Sequence, residues 1–404
     1  MDNAILHMDL DTFFVSCERL VNPTLLKKPV LVGGTGDRGI VSACSYEARP
    51  FGIYSGISMK LARRLCPEAV CIRGNSQIYL EYSNTVTEII KEEVPSYEKS
   101  SVDEFYADLT GMDKYFGTYK FAKELRSKII HHTGLPISFG LSKNKVVSKV
   151  ATGEAKPNNQ MLIHYGEERS FLAPLAIRKI PLVGKASASV LRDLGIYKVG
   201  ELQEMPIEVV VSVMGKNGKT IWERANGIDT RPLIPYRERE SITSGRTYDR
   251  DTIDLQKVKA TLMAMGEKVC YQLRMGNKVT SCLYVNLRYA DFSNVSKQCR
   301  IPYTSADHII IPKIMELFDK LYDRRVLIRK VGIGVSHLTG GHYQIDLFDD
   351  NHQILNLYNS MDHLRNRFGP SAVMRASTMD VKSVRSNRNP FNGEPPVVLA
   401  HRKE

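Results

Sequence analysis

The chain has 404 residues, 43% hydrophobic and 25% charged, an ordinary globular balance that excludes a mostly disordered protein. Its 56 Lys and Arg against 44 Asp and Glu give a formal charge of +12, which favours a polyanionic partner, nucleic acid above all. No apolar run approaches the roughly 18 residues of a membrane helix, and seven scattered Cys without a CxxC pair argue against a disulfide framework or a Cys-based zinc site.

The N-terminus, MDNAILHMDLDT, carries acids and a very short apolar stretch, so no signal peptide is predicted and a reduced, cytoplasmic protein is expected. Up to about residue 160, strand-like runs (Ile5–Met8, Val30–Val32, Ile40–Ala43) alternate with helical patterns (Thr12–Leu20, Ser58–Leu65, Ile78–Glu93, Tyr119–His131). From Glu167 to Arg231 the pattern is helical, with turns at Gly184, Gly195, Gly215 and Gly218. The longest apolar run, Val209–Met214, falls inside this stretch. Pro232–Glu240 reads as an extended linker. A second α/β unit follows, with strands over Ser281–Tyr289 and Val331–Leu338 and helices over Leu255–Met275 and Ala306–Tyr322. From Asp380 onward, Asn-Pro, Asn-Gly and Pro-Pro signals predict poor order. Cys66 and Cys71 are expected to pack in a core, and His131-His132 to end a helix.

Three acids stand out. Asp9 ends the apolar run ILHM, and Asp103-Glu104 precede another strand-like run in SSVDEFYADLTG. A carboxylate beside a buried strand is expensive unless paired or bound to a cation. Adjacent acids on a regular strand face opposite ways, so a shared site requires a turn or bulge there. The functional reading is a cage for two Mg²⁺ ions about 3.5–4 Å apart that activates a hydroxyl and steadies a leaving oxygen; the competing reading is a helix cap and strand ends. Asp11, directly before a helical pattern, is expected to cap it. Tyr46 and Arg49 would share one face if helical. Lys143, Lys145, Lys149 and Lys156 crowd one window, and suit either a triphosphate or a wet helix face.

Together these segments resemble the Y-family (translesion) DNA polymerases, most closely the DNA polymerase IV type. MDLDTFFVSCER is similar to the family's first metal motif, VSACSYEARPFGIYSGIS to its fingers motif, SSVDEFYADLTG to its S-[VI]-D-E motif, and ISFGLSKNKVVSKVATGEAKPNN to the stretch ending in its nucleotide-binding lysine. IPLVGKASASVLRDLGI and MGKNGKTIWERANGID continue the likeness into the thumb. The resemblance implies an α+β multidomain right hand: palm over 1–12 and 74–165 (mixed sheet plus helices), small fingers over 13–73, and helical thumb with helix-hairpin-helix over 166–231. A linker over 232–240, an α/β little finger over 241–341 and a C-terminal tail over 342–404 complete it. It puts catalysis and metal binding on Asp9, Asp103 and Glu104, with the Leu10 carbonyl as main-chain ligand. It puts the steric gate against ribonucleotides on Phe14, whose bland reading is a core aromatic, and dNTP contacts on Phe13, Phe14, Tyr46, Arg49 and Lys156. Ala43 replaces a frequent phosphate-contacting Thr, and Leu182 stands where the first thumb hairpin usually has Gly. Gly184, Lys185, Gly215 and Lys216 would meet the DNA backbone, with Arg246 and Arg288 among the little-finger cations. Small residues near the templating base (Ile40, Ser42, Ala43) would suit an open site.

After the last domain, Gln344-Ile345-Asp346-Leu347-Phe348 resembles the pentapeptide that docks bacterial replication proteins on the sliding clamp, with Leu and Phe as pocket anchors. The expected partners are thus primer-template DNA, dNTP and a sliding clamp, with no membrane, for a monomer adding dNTPs to a primer 3′-OH opposite damaged or undamaged template, without proofreading. Two rival readings are the catalytic subunit of a polymerase V-type complex needing accessory proteins, which FGPSAVMRAST somewhat resembles, and a non-catalytic DNA-bound repair scaffold.

Overall fold

A computed structural model of the protein describes residues 3–112, 117–236, 238–341 and 352–384. Two compact units divide between residues 237 and 238. The first runs β1 (Ile5–Leu10), α1 (Phe13–Val21), β2 (Val30–Gly33), β3 (Val41–Cys44), α2 (Met59–Leu65), β4 (Val70–Ile72), α3 (Ser76–Glu93), β5 (Tyr97–Lys99), β6 (Glu104–Asp108), α4 (Thr118–Thr133), β7 (Ile137–Ser142), α5 (Lys145–Ala155) and β8 (Gln160–Leu162). Four helices complete it: α6 (Glu168–Leu172), α7 (Lys185–Asp193), α8 (Val199–Gln203) and α9 (Ile207–Ala225).

Its main sheet has the order β5-β6-β1-β7-β8, so β1 is central, antiparallel to β6 and β7. Burial on both faces explains why β1 reads as a nearly continuous apolar run broken only by His7 and Asp9. Helix α5 lies unusually close to this sheet. A Cβ on Gly140 would come within 2.3 Å of the Ser148 carbonyl oxygen, so only glycine permits the approach. Ser148 Oγ and Thr152 Oγ1 then donate to the β1 carbonyls of Ile5 (2.7 Å) and His7 (3.0 Å), locking the helix in place.

A three-stranded sheet, β3-β2-β4, encloses a small core of Leu31, Val41, Ile53, Met59 and Cys66, with Cys71 packed against it. These four helices gather around Leu172, Ile180, Leu191, Leu202 and Ile221, and share this core with Val147 and Val150 of α5. All seven cysteines are free thiols.

The second unit contains β9 (Ser241–Thr252), α10 (Leu255–Met275), β10 (Lys278–Tyr289), β11 (Asn294–Thr304), α11 (Asp307–Leu321), β12 (Ile328–Gly340) and α12 (His352–Phe368), then 3₁₀ turns over Ala376–Val384. The sheet order is β11-β10-β12-β9. Leu283, Val285, Leu287 and Tyr289 of β10 turn inward to meet α10 and α11. Strands β9 and β11 were not legible as strands, because few of their residues are buried and the apolar alternation is faint.

The stretch beyond residue 341 also differs from a plain tail. Helix α12 is held to α10 by charge: Arg274 pairs with Asp362 (2.6 Å) and Asp307 (2.7 Å), and Arg365 pairs with Asp362 (3.0 Å). Residues 380–384, expected to be poorly ordered, belong to the 3₁₀ segment. The pentapeptide Gln344–Phe348 lies outside the described residues. Among the described residues no helix is long and apolar enough to cross a membrane.

Candidate active site

Asp9 is the penultimate residue of β1, with Glu104 opposite it on β6 and Ser138 opposite it on β7. Residues in register on neighbouring antiparallel strands project from the same face, so the two carboxylates emerge side by side. Asp103 joins them through the backbone, its carbonyl accepting from Leu10 N at 3.0 Å. Ser101 supplies the turn that two adjacent acids require. Its Oγ accepts from Asp103 N (3.2 Å) and Glu104 N (3.1 Å) and donates to Asp103 Oδ1, so the strand begins only at Glu104.

Lysines from α5 and its C-terminal turn face these acids. Lys156 Nζ lies 2.5 Å from Asp9 Oδ1 and Lys149 Nζ 2.5 Å from Glu104 Oε2. Burial pushes Asp9 up to about 7, with Lys156 pulling against it and the neighbouring acids adding to it. Burial likewise raises Asp103, opposed by the Ser101 hydrogen bond. Burial disfavours the Lys156 charge, but Asp9 and Asp11 outweigh it and hold its pKa above the ordinary lysine value. The lysine window is therefore not a wet helix face. Lys145 pairs with Glu98 at 2.8 Å and Lys143 with Glu168 at 3.2 Å, so two of the four lysines serve packing.

Phe13 and Phe14 open α1, Phe13 buried and Phe14 half-buried. The Phe14 ring stacks on Tyr79 of α3 with centroids 4.3 Å apart and planes 15° from parallel. Tyr79 is itself fixed, its hydroxyl donating to Glu18 Oε1 at 2.5 Å. Nothing in the local sequence marks Tyr79 as part of this cluster; only the packing of α3 on α1 brings it there. Tyr46 and Arg49 share a 3₁₀ turn over Tyr46–Phe51, where residues three apart eclipse, and the Arg49 guanidinium lies 4.3 Å over the Tyr46 ring. Ala43, on β3, brings no hydroxyl to the neighbourhood.

Asp11 corrects its expected role. The residue preceding α1 is Thr12, in a left-handed conformation and with no side-chain cap bond, while the Asp11 carboxylate turns inward and is buried. Its Oδ2 accepts from Ser138 Oγ (2.8 Å) and Asn158 N (2.5 Å), and its Oδ1 accepts from the Tyr46 hydroxyl (3.4 Å). The cap reading failed because a cap is judged locally, whereas three distant segments supply these donors.

Among the described residues no group of three or more His, Cys, Asp or Glu is gathered as a finished metal cage. Asp9 turns to Lys156, Glu104 to Lys149 and Asp103 to Ser101. The backbones converge, but the oxygens do not point at one common centre. In donor chemistry the set nevertheless fits a hard divalent cation: three carboxylates at adjoining strand ends, two of them raised by burial.

Gly184 precedes α7 and Lys185 opens it, leaving first-turn amides to face an anion. The hairpin forms with Leu182 in the position in question: its φ is +79°, and Gly184 N donates to its carbonyl at 3.0 Å. Gly215, at φ +61° and ψ −145°, breaks α9 into two helices, and Lys216 follows the break. In the second unit Arg288 projects from the face of β10 opposite Leu287, beside Tyr284 and Asn286. Arg246 instead shares the side of β9 with Ile242 and Tyr248, the side that meets α10, and is half-buried.

Residues 8–153 match the impB/mucB/samB family, 165–196 the IMS family HHH motif, and 239–347 the impB/mucB/samB family C-terminal domain. A DNA polymerase IV of Dehalococcoides mccartyi is 35% identical over 94% of this chain and 98% of its own length. One of Streptococcus agalactiae is 35% identical over 85% of this chain and 96% of its own. A solved Y-family DNA polymerase chimera superposes with a TM-score of 0.74 at 23% identity, covering 83% of this chain and 99% of that one. With both sequence relatives and fold in agreement, the chain belongs to the impB/mucB/samB family, the Y-family DNA polymerases.

Proposed function

We propose that this chain is a template-directed DNA polymerase of the translesion type, and that its chemistry is nucleotidyl transfer at the joined ends of β1 and β6. The observation that carries the reading is the register of Asp9 with Glu104, together with the Leu10–Asp103 backbone bond, beside an aromatic stack and a half-buried lysine. Asp9, Asp103, Glu104 and the Leu10 carbonyl would hold two Mg²⁺ ions, which supply Lewis acidity toward the primer 3′-OH and offset charge at the α-phosphate.

The remaining steps belong to the chain's own residues. Lys156 and Arg49 supply cations for the triphosphate, with Tyr46 beside them under the Arg49 guanidinium; burial and then the Asp11 charge keep its phenol protonated, and Asp11 accepts that one proton. Phe14, backed by Tyr79, would leave no room for a ribose 2′-OH, which is specificity by repulsion. We assign the main sheet to the palm, the β3-β2-β4 segment to the fingers, α6–α9 to the thumb and the second unit to the little finger. Amides at Gly184-Lys185 and Gly215-Lys216 would bind DNA phosphates without reading sequence. Gln344–Phe348 would tether the enzyme to a sliding clamp.

Primer extension by the purified chain tests the reading. Wild type is expected to extend with dNTPs, Asp103→Ala to lose at least about a hundredfold in rate, and Phe14→Ala to accept rNTPs. Unchanged sugar discrimination in Phe14→Ala removes the gate, and undiminished extension by Asp103→Ala removes the catalytic assignment.

A further inference from the structure

Asp11 is a buried carboxylate two residues from Asp9, at 1% exposure, and it touches neither Asp103 nor Glu104 in any hydrogen bond described above. A buried carboxylate is tolerated only when its oxygens are satisfied. Here Ser138 Oγ at 2.8 Å and the Asn158 amide at 2.5 Å meet Oδ2, while the Tyr46 hydroxyl at 3.4 Å and Lys156 Nζ at 3.5 Å meet Oδ1. Two oxygens offer about four lone-pair positions, and four donors use them. The backbone is pinned as well: Asp11 N donates to the Pro136 carbonyl at 2.8 Å, and Ser16 Oγ donates to the Asp11 carbonyl at 2.7 Å.

These donors come from β7, from the turn after α5 and from the 3₁₀ turn of residues 46–51. Two of them, Tyr46 and Lys156, are residues proposed above to line the triphosphate subsite. We infer that Asp11 is a positioning residue for the triphosphate subsite, fixing Tyr46 and Lys156 relative to each other and to the end of β1 without itself touching nucleotide or cation. Lys156 has two carboxylate partners, Asp9 at 2.5 Å and Asp11 at 3.5 Å. Only the first belongs to the reacting site. Asp11 therefore keeps the lysine in place whatever Asp9 binds. This inference rests on the reading of Tyr46 and Lys156 as residues of the triphosphate subsite, and its test separates the two ideas.

The experiment is single-turnover extension at varied dNTP, which yields the nucleotide Kd and the maximal rate separately, with primer-template affinity and Tm measured on the same samples. Asp11→Asn keeps the size of the side chain but removes the charge beside Lys156 and one acceptor. Its dNTP Kd is expected to rise about tenfold, with the maximal rate within about threefold of wild type and DNA affinity unchanged. Combined with Tyr46→Phe, the two losses are expected to fall well short of multiplying, because both break one contact. Should Asp11→Asn fail to fold, Ser138→Ala loosens the same carboxylate from β7 and is expected to raise the dNTP Kd about threefold. A lowered Tm with an unmoved dNTP Kd, or full multiplication with Tyr46→Phe, reduces Asp11 to a folding role and overturns the inference. If Lys156→Ala leaves the dNTP Kd unmoved, the triphosphate reading itself fails, and the inference falls with it.

Discussion

Lys99 shows how a single buried charge sets a pH dependence. It is 8% exposed, donates to Thr87 Oγ1 at 2.8 Å, and burial pushes it down from 10.5 to about 8, with Asp103 and Glu88 only partly compensating. Between pH 8 and 10.5 the unfolded chain binds a proton at this position that the folded chain does not. Stability should therefore rise with pH across that window, and the cost of the buried charge is fully present below about pH 8. Lys99→Met is expected to stabilise the protein at pH 7 by about 2 kcal/mol, after the lost Thr87 bond is deducted, and to flatten the rise above pH 8. Chemical denaturation at pH 7 and pH 10 checks this; parallel curves for variant and wild type would refute it. Leu182 also costs energy, here through its backbone, about 1 kcal/mol or more for a left-handed non-glycine, yet the hairpin hydrogen bond forms regardless.

At the scale of elements, the β9–β12 sheet has two unlike faces. One carries the aliphatic residues that meet α10 and α11. The other carries Tyr284, Asn286 and Arg288 from β10, across from Gly334, Gly332 and Lys330 of β12. A Cβ on Gly334 would meet the Tyr284 ring at 2.2 Å and one on Gly332 would meet Asn286 Oδ1 at 2.4 Å, so these side chains lie flat over glycine. A polar, cationic surface of low relief suits a nucleic-acid backbone. Gly334→Ala is expected to lift the Tyr284 ring, lowering DNA affinity several-fold with a stability change under about 1 kcal/mol. Arg288→Ala is expected to reduce the slope of log affinity against log salt by about 1. Anisotropy titrations of labelled primer-template over a salt series measure both; unaltered affinity in the two variants would take this face away from the DNA.

For the molecule as a whole, the proposed DNA grip is spread over many weak, salt-sensitive contacts, so the proposed clamp tether would set retention on a primer. The pentapeptide Gln344–Phe348 follows directly on the second unit's sheet, whose last strand ends at Gly340, and α12 follows at residue 352. Tethering through a short linker raises effective concentration to about millimolar. Replacing Leu347 and Phe348 by Ala is expected to leave extension without clamp unchanged and to abolish stimulation by a bacterial sliding clamp. Equal loss of both activities would assign the segment to folding.

Much of this was readable in one dimension, for definite reasons. The apolar run of β1 with Asp9 at its end, the Ser101-to-Glu104 turn and the helical period of α3, α10 and α11 are local patterns, and local hydrogen bonding enforces them. The chain order of the acids and of Lys156 carried the family resemblance for the same reason. What the sequence could not assign were roles created by residues far apart: Asp11 read as a cap but accepts donors from residues 46, 138 and 158. Tyr79 becomes the backing of Phe14 through the packing of two helices. Arg246 shares a side of β9 with Ile242 and Tyr248 through strand register, which spacing along the chain alone does not reveal. Periodicity and motif spacing are properties of neighbours along the chain, and they marked the more strongly patterned elements and the order of the acids. Which side chains share a buried polar atom depends on strand register and helix approach, and only the tertiary structure decided that.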